Sequence, residues 1–179
     1  YHKFRTDEDS PLRRESYATR VMSLSHDASD LAAALATILW VGDAQGLGEA
    51  VDAAFPGAKL DIDESEGRLN LSLLMPGMLR PFSARELSDG TLHYLCLLAA
   101  LFSPRPAKLL ALNEPEASIH PDLLLPLAEL VRVASKQSQI WVITHSFPLA
   151  NFISEHRVVD NFQLEKVDGA TRVIGQKLG

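Results

Sequence analysis

Three short stretches of this chain carry side chains able to act together. LSDGT (residues 87–91) offers Ser88, Gly90 and Thr91; LLALNEPE (109–116) offers Asn113 and Glu114; ITHS (143–146) offers His145. Asn113 and Glu114 follow an apolar run that Pro115 ends. A carboxylate would therefore stand at the carboxyl rim of a strand, where open α/β sheets bind their ligands. Ser88 is suited to cap a helix, and Gly90 lets a ligand approach the backbone closely. The exposed amides of a helix start, with a hydroxyl beside them, attract anions. His145 stands just past a second apolar run, and imidazole can hold or release a proton near neutral pH. Singly, these features also have plain readings: a helix cap, a turn, a satisfied histidine. What lies between Glu114 and Ser146 is one helix and one strand, which returns the chain to the same rim.

The elements that must position these residues can be read from pattern. Residues 1–29 are polar and aperiodic, with Pro11 excluding a helix across them. Ser29 or Asp30 can cap a helix through LAAALATILWVGD, with Leu31, Leu35, Ile38 and Leu39 on one side. Gly42, Gly46 and Gly48 interrupt it, and residues 47–55 form a second helix ended by Pro56-Gly57. Residues 58–63 and 68–75 read as an antiparallel hairpin, Leu69, Leu71 and Leu73 alternating with Asn70 and Ser72. A helix runs from about Ser88 to Phe102. Residues 108–112 and 139–144 read as strands covered on both faces, because they are almost wholly apolar. Pro121 opens the helix between them, and Pro126 should bend it or shift its start. Residues 147–154 form a short helix. Strands over 157–166 and 171–174 follow, joined by an Asp168-Gly169 turn. The fold class is α/β, a mostly parallel sheet with crossover helices and a small antiparallel hairpin.

Composition narrows the function classes. Cys96 is the sole cysteine and lies in an apolar run, so disulfides and cysteine zinc sites are excluded and a buried thiol is expected. Acidic side chains outnumber basic ones, 23 to 17, which gives no general electrostatic drive toward nucleic acid. Arg13, Arg14 and Arg20 are the candidates for a local basic patch. The chain shows no basic-then-apolar leader and no uncharged apolar run of about 18 residues, so a soluble, cytoplasmic protein with no membrane contact is expected. The first residue is Tyr1 rather than Met, and no G-x-x-x-x-G-K-[ST] occurs among residues 1–179. An upstream segment is expected to exist.

Together, LSDGT, LLALNEPE and ITHS resemble the C-terminal half of an ABC-type ATPase head, as found in SMC/RecF-like and AAA-type predicted ATPases of the P-loop NTPase superfamily. The resemblance is specific over residues 87–146 and looser elsewhere, where YHKFRTDEDSPLR and LSHDASDLAAALATI look like the segment between phosphate loop and signature. It implies one ATPase domain in two parts: residues 1–86 as its upstream helical and hairpin part, residues 87–179 as the part with signature, Walker B, D-loop and switch histidine. It implies ATP and Mg2+ as cofactors and a head-to-head homodimer. Glu114 would take the catalytic position and polarise the attacking water, Asn113 and Glu114 the metal-associated positions, and His145 the switch position. Ser88, Gly90 and Thr91 would contact the γ-phosphate held by the other subunit. ASIHPD (117–122) resembles the D-loop, with His120 near the opposing site. Asp89 is a charge oddity in a phosphate-contacting motif and should point away from the phosphate. The usual acid at position 113 is Asn here, a departure that bears on metal affinity and turnover. DNA repair, chromosome maintenance or defence are the implied settings, with DNA a partner that this segment itself does not favour.

Other classes fit less well. Asn113-Glu114-Pro115 also looks like the acid/base motif of a clan of barrel glycosidases, but those need a second carboxylate and about 250 residues. No G-x-S-x-G supports a serine hydrolase, and His120, His145 and Glu114 lack compact zinc spacing. The non-enzymatic alternative is an ATP-binding dimerisation switch with little or no hydrolysis. Without a phosphate-loop lysine and its amide cradle, residues 1–179 alone should be inactive.

Overall fold

The computed structural model describes residues 4–155, 159–167 and 169–174. The amino-terminal segment is pinned rather than loose: Phe4, Leu12 and Leu24 are buried. Pro11 opens a single 3-10 turn, Pro11–Arg13, where a lone turn tolerates the missing N–H. Strand β1 (Ser16–Tyr17) follows.

Helix α1 (Leu31–Val41) is buried along nearly its whole length, from Leu31 to Ile38. It packs on α2 (Ala44–Ala54). Two expectations change here. Asp30 occupies the N-cap of α1 without capping it. Its carboxylate instead accepts from the backbone and hydroxyl of Ser25, at 3.0 and 2.6 Å. And α2 begins three residues earlier than its apolar pattern indicates, with Gly46 and Gly48 inside it, because Asp43 caps it by accepting the Gly46 N–H at 2.8 Å.

Strands β2 (Lys59–Ser65) and β3 (Arg68–Leu74) form the expected antiparallel hairpin. Leu69, Leu71 and Leu73 face the core. β1 and the short β4 (Phe82–Ser83) share the other edge of β3, pairing at Leu69 and Arg68 and at Ser72 and Leu73. Beyond β4, Arg80 and the donors of Ser83 hold Glu86, and its carboxyl is pushed down to about 2 by the guanidinium and those bonds.

Helix α3 (Asp89–Leu101) is the centre of the fold, with every residue from Leu92 to Leu101 buried. Such an all-round apolar helix must be enclosed; α1 and α4 (Leu124–Ala134) pack against it. Cys96 lies in its interior, where burial raises the thiol above its ordinary range and keeps it protonated.

Strands β5 (Leu109–Asn113) and β6 (Gln139–Ile143) are parallel, paired from Leu109↔Gln139 to Asn113↔Ile143, with α4 as the crossover. A 3-10 turn at Pro121–Leu123 precedes α4, so Pro126 falls in its first turn, where no N–H partner is lost. The expectation of strands covered on both faces fails. Leu110 and Leu112 are buried, whereas Leu109, Trp141 and Ile143 are each about half exposed (49%, 58% and 54%). Side chains alternate along a strand, so Leu109, Ala111 and Asn113 share this open face with Trp141 and Ile143.

Helix α5 (Phe147–Ser154) packs on α4. The antiparallel pair β7 (Gln163–Val167) and β8 (Ala170–Ile174) ends the described chain, with Gly169 at positive φ (+83°). The parts of the strand and turn expected at Arg157, Val158 and Asp168 lie outside the described residues. Among the described residues no helix is long and apolar enough to cross a membrane.

Candidate functional site

The carboxyl ends of β5 and β6 stand side by side, and Glu114 and His145 leave them together. The Glu114 N–H donates to the Ile143 carbonyl at 2.7 Å, so the pairing of the two strands extends one residue past Asn113. Glu114 then turns sharply, at φ +47°, a region rarely used by residues with a Cβ and often found at functional sites. The turn is closed by Ala117 N–H donating to the Glu114 carbonyl at 2.9 Å. His145 Nε2 lies 3.4 Å from Glu114 Oε1, and both side chains are solvent-accessible, 86% and 48%. A carboxylate and an imidazole at this separation, open to one side, can share or pass a proton to a bound water.

Glu116 fixes the loop that carries the histidine. Its Oε1 accepts from the Thr144 hydroxyl and from the His145 backbone N–H (3.2 Å). Thr144 Oγ1 in turn accepts from Ser146 N–H at 2.9 Å, and Ser146 caps α5. Glu116 Oε2 is buried with no hydrogen-bond partner among the described residues.

The start of α3 forms the second cluster. Ser88 is its N-cap, accepting from Thr91 N–H at 3.1 Å, with the two hydroxyls 2.8 Å apart. Gly90 sits directly against the loop after β5: a Cβ there would lie 2.5 Å from the Ser118 carbonyl oxygen. His93, one turn further on and buried, donates from Nε2 to the Pro115 carbonyl at 3.1 Å, since a carbonyl can only accept. The helix start and the Glu114 turn are therefore joined at two points.

Arg13 reaches the start of α3 and the segment before it from 76 residues upstream in sequence. Its Nε donates to the carbonyls of Thr6 and Asp7, at 2.8 and 3.1 Å. One terminal nitrogen donates to the carbonyls of Ala84, Arg85 and Leu87 at 3.2, 3.1 and 2.8 Å. The other meets the Asp89 carboxylate at 2.6 Å.

The predicted residues thus fall into two groups, Asn113, Glu114 and His145 at the strand rim, and Ser88, Gly90 and Thr91 at the helix start. His120 joins neither by a hydrogen bond. Its Nδ1 accepts from Asp122 N–H at 3.3 Å and caps the 3-10 turn, with the ring largely exposed. Among the described residues no three His, Cys, Asp or Glu side chains group as metal ligands.

This geometry can be set beside known proteins. The model of a family described as "AAA domain, putative AbiEii toxin, Type IV TA system" matches residues 5–150. The chain belongs to this AAA-domain family. No curated protein sequence matches it. The fold of this AAA-domain chain is that of an SMC ATPase head. It superposes on a structure from work on ATP-driven dimerisation and DNA-stimulated activation of SMC ATPases, with TM-score 0.59 and 18% identity, covering 73% of this chain and 80% of that one. It also superposes on the Smc head with coiled coil and joint from Pyrococcus yayanosii (TM-score 0.59, 20% identity, 73% and 26% covered). A third match is the SMC head domain from Thermotoga maritima (TM-score 0.54, 20% identity, 81% and 50% covered). The chain thus spans most of the first of these and half or less of the other two.

Within the AAA-domain head, the motifs alone do not mark Arg13, His93 or Glu116 as residues that hold the site's loops. One signal pointed to the first: Asp89, an acid in a motif otherwise fit for anions, needed a cation. With Arg14 and Arg20, Arg13 reads in sequence as a candidate for a local basic patch, whereas its side chain is only 9% exposed.

Proposed function

We propose that this chain is the part of an ATP-hydrolysing head that supplies Glu114 and His145 to its own active site and Ser88, Gly90 and Thr91 to that of a second copy. The convergence of the Glu114 carboxylate and the His145 imidazole at the ends of two parallel strands carries the reading. Glu114 would accept the proton of an attacking water, and His145 would orient that water and the terminal phosphate. Glu116 would hold the histidine loop at the right height.

The donor set suits Mg-ATP. The Asn113 amide oxygen shares the open strand face and the Glu114 carboxylate stands at its rim. Magnesium takes one or two protein carboxylates and fills its shell with water and phosphate oxygens, so a sparse oxygen set is enough. When bound it would neutralise charge on the phosphates. A phosphate loop is also needed, and residues 1–179 contain none. We place it on a segment outside this sequence that lies along the open face of Leu109, Trp141 and Ile143, which leads to Asn113. The matching family's description names a toxin–antitoxin system, and SMC heads are the fold relatives; these support the setting we propose, DNA maintenance or defence.

The test is magnesium-dependent ATP hydrolysis by the full-length protein beside Glu114→Gln, with particle mass recorded in the same samples. Turnover should fall by about a hundredfold or more on losing the carboxylate, while ATP still drives dimerisation. Asn113, in place of an acid, supports one further reading, an ATP-dependent dimerisation switch. That reading gains if both proteins dimerise with ATP and neither turns it over. No ATP binding by the full-length protein would refute both.

A further inference from the structure

An anion-binding helix start that opens with Asp is a contradiction in charge. Asp89 is the first residue of α3 and follows the capping Ser88 directly. A carboxylate there favours the helix dipole, yet it stands beside amides and hydroxyls that are to receive a phosphate. Like charges at that range repel strongly wherever water is partly excluded.

The environment of Arg13 resolves this. The guanidinium spends Nε and one terminal nitrogen entirely on five backbone carbonyls, Thr6, Asp7, Ala84, Arg85 and Leu87. Those carbonyls are neutral, so its charge is left to Asp89 at 2.6 Å, its ion-pair partner among the described residues. The carbonyl bonds hold the arginine in place whether or not Asp89 is present. The pair is also one-sided: the Arg13 side chain is 9% exposed and that of Asp89 56%, so a mostly covered cation reaches out to an accessible acid. Glu8, Arg14 and Arg85 line an open hollow of about 410 Å³ with Arg13, and the charges around it therefore lean positive.

We propose that Arg13 is a positioning residue for phosphate recognition: it neutralises Asp89 and turns its carboxylate away, so that Ser88, Gly90 and Thr91 can accept the γ-phosphate held by a second copy. The inference rests on the reading of residues 87–91 given under Proposed function. Arg13 acts through Asp89 and does not itself touch the nucleotide. A staple that only held the loop in shape would make the same carbonyl bonds, but would not depend on the charge at position 89.

That difference is measurable. In full-length protein carrying Glu114→Gln, the ATP concentration giving half-maximal dimer would be read by particle mass for the parent, Arg13→Gln, Asp89→Asn and the double variant. Melting temperature would be recorded for each. Arg13→Gln should raise the ATP requirement about tenfold or more when Asp89 is present, and by less than about threefold when residue 89 is Asn. Arg13→Lys keeps the charge and loses the fork, so it should melt earlier while staying within about threefold of the parent in ATP requirement. Equal penalties in both backgrounds, or a lysine variant as impaired as the glutamine one, would overturn the inference and leave Arg13 a structural staple. A Glu114→Gln parent that forms no dimer with ATP would instead bring down the head reading, and this inference with it.

Discussion

At the residue scale, Glu116 explains how two separate strand ends become one site. It lies two residues past Glu114, and its carboxylate binds Thr144 and His145 across the gap between the β5 and β6 loops. Removing it strips acceptors from a hydroxyl and an N–H that were built around them, and the groups left unbonded cost about 1–3 kcal/mol. Catalysis should suffer more than binding, because a shift of about 1 Å in a reacting group can lower rates about a hundredfold. Glu116→Ala in the full-length protein is therefore expected to cut ATP turnover about ten- to a hundredfold while ATP-driven dimerisation persists, and Glu116→Gln, which keeps one acceptor, to fall between. Parallel rate and mass measurements check this. Equal loss of both would make Glu116 a fold residue only. The motif residues themselves were readable because their types are tied to adjacent elements: an acid after an apolar strand, a hydroxyl before an apolar helix. Arg13 was not readable in the same way, since a guanidinium serving backbone carbonyls 71 to 74 residues away leaves no local pattern.

At the scale of elements, α3 couples the two clusters. Its start carries Ser88, Gly90 and Thr91, and its next turn carries His93, bonded to the carbonyl of Pro115 beside Glu114. Gly90 seals the joint. Sequence alone suggested a glycine kept small for a ligand; the structure adds that the Ser118 carbonyl already occupies the place of a side chain. Ser118 is itself at φ +65°, so it has little freedom to retreat. Gly90→Ala should therefore force the 117–120 loop away from the helix, costing about 1–3 kcal/mol as overpacked interiors do, visible as an earlier thermal transition. Because the displaced loop begins two residues after Pro115, the Glu114–His145 geometry should loosen too, and turnover should fall with stability. A variant with unchanged melting and turnover would show that the loop yields freely. Most elements followed from pattern. The start of α2 did not, because the Asp43 cap sets it through one specific bond that the apolar period does not register, whereas the start of α4 at Leu124 agrees with the shift that Pro126 indicates.

At the scale of the whole molecule, the open strand face decides how this chain meets the rest of its protein. Apolar content alone indicated strands covered on both sides, and composition cannot say whether the cover belongs to the same 179 residues. Here Leu110 and Leu112 are buried on the core side, while Trp141, Ile143 and Leu109 face out. If the phosphate-loop segment lies on that face, Trp141 changes from a surface residue to a core residue when the segment is present. Trp141→Ala should then cost about 3–5 kcal/mol in the full-length protein, as truncation of a buried aromatic does, but within about 0.5 kcal/mol in the 179-residue chain, as surface substitutions do. Iodide quenching gives an independent reading, provided that Trp40, the other tryptophan and also about half exposed (52%), is first replaced by Phe. Trp141 should be several-fold less quenchable in the full-length protein than in the short chain. Equal quenching, together with equal small costs of substitution, would mean that the phosphate loop approaches Asn113 from another direction. It would also leave the 109–143 face a surface in its own right.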